Sequence, residues 1–166
     1  MIVHFTIALR KKLHLDEVTT DPVEAGPHLR WYANLFRVGG VQYILTMNAA
    51  SLYSVVVYGR GLTDSGLYVR DFVTELREHL EESDMQLIYK RCIAPYTGTI
   101  TLASAQDRSA MASMNNIVRR CKSILSRDDK SPWDLSEMIN ATPFKVLDFQ
   151  TPNEIFSRLP ANGDSQ

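Results

Sequence analysis

Residues 31–59, WYANLFRVGGVQYILTMNAASLYSVVVYG, decide the architecture, because period-two apolar patterning and turn chemistry agree along the whole stretch. Two strand-like runs flank Gly39-Gly40, a dipeptide that reaches positive φ with no Cβ to clash and so closes a tight hairpin. A third run, Leu52 to Tyr58, follows the turn residues Asn48-Ala49-Ala50-Ser51, which predicts a three-strand meander. Such a sheet needs helices to cover it.

The flanking segments supply them. After the turn-rich GRGLTDSG, the residues Val69, Phe72, Val73, Leu76 and Leu80 recur at the spacing of a core-facing helical stripe, so residues 67–83 read as a helix with an acidic outer face. Ser83-Asp84 can end it and cap another, so Met85 to Ile93 reads as a further helix, or else a strand, stopped by Pro95. TGTITLA, Thr97 to Ala103, alternates and is rich in β-branched residues, as a strand does. Upstream, Ile2 to Phe5 is strand-like and Thr6 can cap a helix that buries Leu9 and Leu13 while Arg10, Lys11 and Lys12 point outward. Residues 16–30 carry Asp21-Pro22 and Gly26-Pro27 without periodicity and predict an irregular connection. Near the C-terminus, Ser131-Pro132 opens a short helix with Leu135, Met138 and Ile139 facing inward. Phe144 to Phe149 reads as an edge strand, and Thr151-Pro152-Asn153-Glu154 as a capping box.

The chain has 166 residues, with 18 basic and 19 acidic side chains, so its net charge of −1 neither favours nor disfavours nucleic acid and local charge must decide. Cys92 and Cys121 lack any metal-ligand spacing and read as buried free thiols. Histidines 4, 14, 28 and 79 are scattered, so neither a metal site nor a cofactor is expected. No signal-like h-region opens the chain and no apolar run approaches the roughly 20 residues of a membrane span, which makes the cytoplasm the expected location.

One segment stands out as a candidate site. In the stretch 108–126, Met111, Met114, Val118, Cys121 and Leu125 repeat at three and four, behind a possible Asp107 cap. Arg108, Asn115, Arg119 and Lys122 then share a stripe on the opposite side, with Ser109 and Asn116 beside it. Arginine forks onto an anion and asparagine can read a carbonyl or a base edge, so the stripe suits phosphate. The plainer alternative is a solvated face whose late cations complement the helix dipole.

Several short motifs carry a resemblance: Trp31-Tyr32-x-Asn34-Leu35, Arg108-Ser109-x-x-x-Ser113-Met114-Asn115, Asn140-x-Thr142-Pro143-Phe144, and the first strand with its Thr-led helix. Together they resemble a family of small bacterial proteins classed as a domain of unknown function, whose pattern has glycine where this chain has Ala112. The resemblance implies a bacterial cytoplasmic protein compatible with carriage on mobile elements. It brings no activity and no cofactor.

The expected fold is α+β. A single domain over 1–159 has an antiparallel-dominated sheet (the meander 31–59 plus strands near 2–5 and 98–103) packed by helices near 67–83 and 108–126, and 160–166 form a disordered tail. For function, no GxSxG, phosphate-binding glycine loop or metal cluster is present, which favours a non-catalytic binding or regulatory module with a protein or nucleic-acid partner. Self-association stays open. The competing expectations are a small hydrolase or nuclease-like enzyme, with His28 or His4 as base and Arg108 or Arg119 stabilising an anion, and a toxin-antitoxin type partner.

Overall fold

The structure, a computed structural model, describes residues 1–20 and 24–162. Asp21-Pro22 and the end of the expected tail, 163–166, lie outside the described residues. In chain order the elements are β1 (Ile2–Phe5), α1 (Ile7–Lys12), β2 (Arg30–Val38), β3 (Val41–Asn48), β4 (Ser54–Tyr58), α2 (Ser65–Glu82), α3 (Gln86–Ile88), β5 (Thr101–Ser104), α4 (Arg108–Arg127), α5 (Pro132–Asn140) and α6 (Pro152–Ser157).

The meander forms as the patterning requires, with Gly39 and Gly40 at φ of 57° and 78° in the turn. The sheet order is β4-β3-β2-β1-β5. Antiparallel pairing gives the long ladders of β2 with β3 and β3 with β4, while the short β1 runs parallel to both β2 and β5. A strand with neighbours on both sides and layers on both faces should be apolar almost throughout, and β1 buries Ile2, Val3 and Phe5.

Alternation along the strands divides the core in two. Val3, Phe5, Trp31, Ala33, Ile44, Val55 and Val57 face α1 and α2, where Leu9, Leu13, Tyr68, Phe72, Leu76 and Leu80 meet them. Tyr32, Phe36, Tyr43, Leu45, Met47 and Val56 face α4 and α5 through Met114, Ile117, Val118, Cys121, Leu135 and Ile139. Four caps read from sequence are made: the side chains of Thr6, Asp107, Ser131 and Thr151 accept the amides of Leu9, Ala110, Asp134 and Glu154, whereas Ser83-Asp84 caps no following helix, since α3 starts behind Met85 without a side-chain cap.

Helix α5 closes the outer edge of β4, and here the expected inward set changes. Asn140 accepts from the Ser54 amide through Oδ1 and donates to the Ser54 carbonyl through Nδ2, both at 2.8 Å, and Ser136 Oγ accepts from the Val56 amide at 2.8 Å. Ser136 and Asn140 are therefore buried while Met138 is largely exposed, because an edge strand needs donors and acceptors where a face needs methylenes. His79 of α2 braces the same helix, its ring stacked on Trp133 at 3.7 Å and its Nδ1 2.5 Å from Glu137 Oε1.

Three boundaries shift. The strand expected from residue 98 pairs only from Thr101. Residues 85–93 are helical but pass from α3 into a π-turn, Tyr89–Ile93, followed by a 3₁₀ turn, Ala94–Tyr96. The edge strand expected at 144–149 does not form: Lys145–Leu147 make a 3₁₀ turn, Asp148 and Phe149 adopt left-handed φ, and Phe144 meets Gln150 in an isolated bridge. Both sheet edges are already engaged, β4 by α5 and β5 by the Thr19 bridge to Ala103. Asn162, within the expected tail, docks by donating to the Cys92 carbonyl at 2.6 Å and lies where a Cβ on Gly26 would clash, at 2.0 Å. Among the described residues no helix is long and apolar enough to cross a membrane.

Candidate functional site

Helix α4 spans twenty residues, about 30 Å at the usual rise. Asp107 starts it by accepting the Ala110 amide at 2.8 Å. Its inner side is sealed by Met114, Ile117, Val118 and Cys121, and burial pushes the Cys121 thiol up to about 12, so the sulfur serves as packing and not as a nucleophile. Ile117 belongs to this side, although the three-and-four repeat pointed to Met111 and Leu125, which are only half-buried.

The outer side gathers the expected residues. Arg108, Asn115, Asn116, Arg119 and Lys122 are all exposed, and Arg119 Nη2 donates to Asn116 Oδ1 at 2.7 Å, which ties the two residues into one unit. Arg120 lies over the Phe144 ring, 5.9 Å from its centroid, and Arg127 bonds Ser123 of its own helix. The helix carries five cations and no acid. Among the described residues none of those cations is in an ion pair with a carboxylate, whereas α2, across the sheet, holds five acids against two arginines and pairs both arginines, Arg70 with Asp71 and Arg77 with Glu81. Charge of opposite sign is thus carried by the outer sides of these two helices.

Ser109 turns aside from the stripe into a hollow of about 290 Å³ at the start of α4, lined also by Arg30, Tyr32, Asp107 and Ser113. Beside it, His4 stacks on Tyr32 with ring centroids 4.5 Å apart. Its Nε2 lies 2.9 Å from Arg30 Nη1 and its Nδ1 3.1 Å from the Ser104 carbonyl. A guanidinium can only donate and a carbonyl only accept, so Nδ1 carries the proton and the Nε2 lone pair is taken. Burial depresses the imidazole further, and the Arg30 charge adds to it against the Ser104 carbonyl and Asp107. His4 is thereby a neutral ring that orients Arg30.

His28 has a different fate. It is buried on the α2 side with its ring edge-on to Phe156 at 5.1 Å, across the sheet from Arg108 and Arg119, and neither ring nitrogen has a hydrogen-bond partner among the described residues. The two histidines suited by sequence to act as a base are therefore occupied or walled off. Sequence reasoning missed Arg30, since its approach to His4 depends on parallel pairing between β1 and β2, which leaves no local signal. Of the residues that carry the resemblance, Trp31, Asn34 and Asn140 have structural work: Trp31 fills the core, Asn34 accepts from Thr6 at 2.7 Å, and Asn140 seals β4. Arg108, Ser109 and Asn115 do not, and remain at the surface.

A family model described as Domain of unknown function (DUF6933) matches residues 2–155. No curated protein and no solved structure matches the chain.

Proposed function

The chain belongs to the DUF6933 family, which assigns no reaction, and from the site itself we infer that it is a non-catalytic binding module whose α4 face engages an anionic partner, nucleic acid being the class it fits best. The observation that carries this reading is the row of cations along α4, a helix without acids; among the described residues none of these cations is in an ion pair with a carboxylate. A phosphate backbone rewards such a row because each neutralised phosphate releases a counterion. Asn115 and the Asn116–Arg119 pair add directed donors and acceptors suited to base edges or sugar oxygens.

A merely solvated helix face accounts for exposure but not for the contrast with α2, where cations and acids are mixed and paired. The acidic outer side of α2 repels a polyanion while that of α4 attracts it. The reading is tested by fluorescence anisotropy with labelled single-stranded and duplex oligonucleotides at low salt. The Arg119→Glu, Lys122→Glu double variant should lose most of the retention while keeping its circular dichroism spectrum, since both side chains are exposed. Unchanged retention removes nucleic acid as the partner.

A further inference from the structure

A second concentration of positive charge lies far from α4 in sequence and on the α1 side of the sheet. At the turn end of the β2–β3 hairpin, Lys12, Arg37 and Arg60 line an open groove of about 1060 Å³ together with Gln42, Tyr58 and Val41. No lining residue is acidic, and among the described residues none of the three cations is paired with a carboxylate. They come from the end of α1, from β2 and from the loop after β4, so only the fold assembles them.

Lys12 is held, not merely present. Its Nζ donates to Gln42 Oε1 at 2.6 Å, and its stem passes Gly59 so closely that a Cβ there would stand 3.3 Å from Lys12 Cε and 3.0 Å from Gln42 Cβ. The ammonium is thus fixed on a neutral amide beside Arg37. Burial, and then the charge of Arg37, lower its proton affinity. An anion seated between them would relieve that repulsion. Tyr58 and Val41 border the groove, but alternation turns their side chains to the α4 face of the sheet, where the Tyr58 ring lies 5.6 Å from that of Tyr43. At about 1060 Å³ the open groove slightly exceeds the roughly 300–1,000 Å³ usual for small-molecule sites.

We propose that this groove binds a phosphate-bearing anion, with its phosphates on Lys12, Arg37 and Arg60. The shared chemistry is a phosphate group, whether on a free nucleotide or part of a strand. The site is independent of α4.

Calorimetry on the full chain at low salt, with ATP, AMP, pyrophosphate and adenosine as probes, tests it. ATP should bind saturably, pyrophosphate should compete with it, and adenosine should bind at least about tenfold more weakly, the worth of one charge-assisted contact. The exposed pair Arg37→Gln, Arg60→Gln should weaken ATP and pyrophosphate by about tenfold or more, and Tyr58→Ala, whose side chain lies on the other face, should leave both unaffected. The Arg119→Glu, Lys122→Glu variant should keep its ATP affinity, which separates this site from the α4 face. A short oligothymidylate that displaces ATP at lower concentration than AMP does would mark a strand as the source, and the reverse order a free nucleotide. No saturable binding of ATP or pyrophosphate, or an ATP affinity indifferent to the loss of both arginines, overturns the proposal.

Discussion

Replacing Asn140 with alanine should be among the most damaging single substitutions outside the apolar core. The amide side chain satisfies the amide and the carbonyl of Ser54, each at 2.8 Å, and both residues are almost completely buried. Alanine leaves two buried backbone groups on the sheet edge without partners, and an unsatisfied buried group costs about 1–3 kcal/mol. Allowing for some entry of water, the loss should be about 2–4 kcal/mol, or a fall in Tm of roughly 5–15 °C for a chain of this length. Urea unfolding followed by tryptophan fluorescence reads it as a lower midpoint at unchanged slope, since the surface exposed on unfolding is the same. Ser136→Ala, which removes one bond to the strand, should cost about half as much. An Asn140→Ala loss below about 0.5 kcal/mol, the scale of a neutral surface change, would refute the view that α5 holds the β4 edge through these side chains.

Other consequences can be checked with equal economy. Burial holds the imidazoles of His28 and His79 below their ordinary value, so on acidification the unfolded chain takes up protons first. Stability should be complete above about pH 6.5 and fall below it, by at most about 1.4 kcal/mol per pH unit for each ring, and His28→Leu should flatten that dependence in unfolding midpoints taken from pH 8 to 5. Cys121, buried with its thiol raised, should resist a thiol-specific reagent such as dithionitrobenzoate until the chain is unfolded. Gly40→Val forces a β-branched residue to φ of 78° and should destabilise by about 1–3 kcal/mol, although nothing lies within 4 Å of the new Cβ.

Local chemistry was legible in the sequence wherever a signal and its partner lie within a few residues. Gly39-Gly40, the caps at Thr6, Asp107 and Ser131, and the Thr151–Glu154 box all do the work their spacing announces. The two faces of α4 followed from its period, with Ile117 the exception. What stayed hidden depends on distant segments meeting. The insertion of β1 between β2 and β5 by parallel pairing, and with it the approach of Arg30 to His4, has no sequence-local mark. Ser136 and Asn140 are not among the inward residues expected of α5, because the period of a helix cannot say that its neighbour is a strand edge. Residues 144–149 have the apolar content of a strand but meet no free edge to pair with, so they coil. The groove of Lys12, Arg37 and Arg60 is the extreme case: each residue alone looks like an ordinary surface charge.

The α4 reading meets its most direct test in the salt dependence of oligonucleotide affinity. The logarithm of the binding constant should fall linearly with the logarithm of salt concentration, and removing Arg119 and Lys122 one at a time as alanine variants should each reduce that slope by about one. The same slope in the parent and both variants would place the phosphate contacts elsewhere on the molecule.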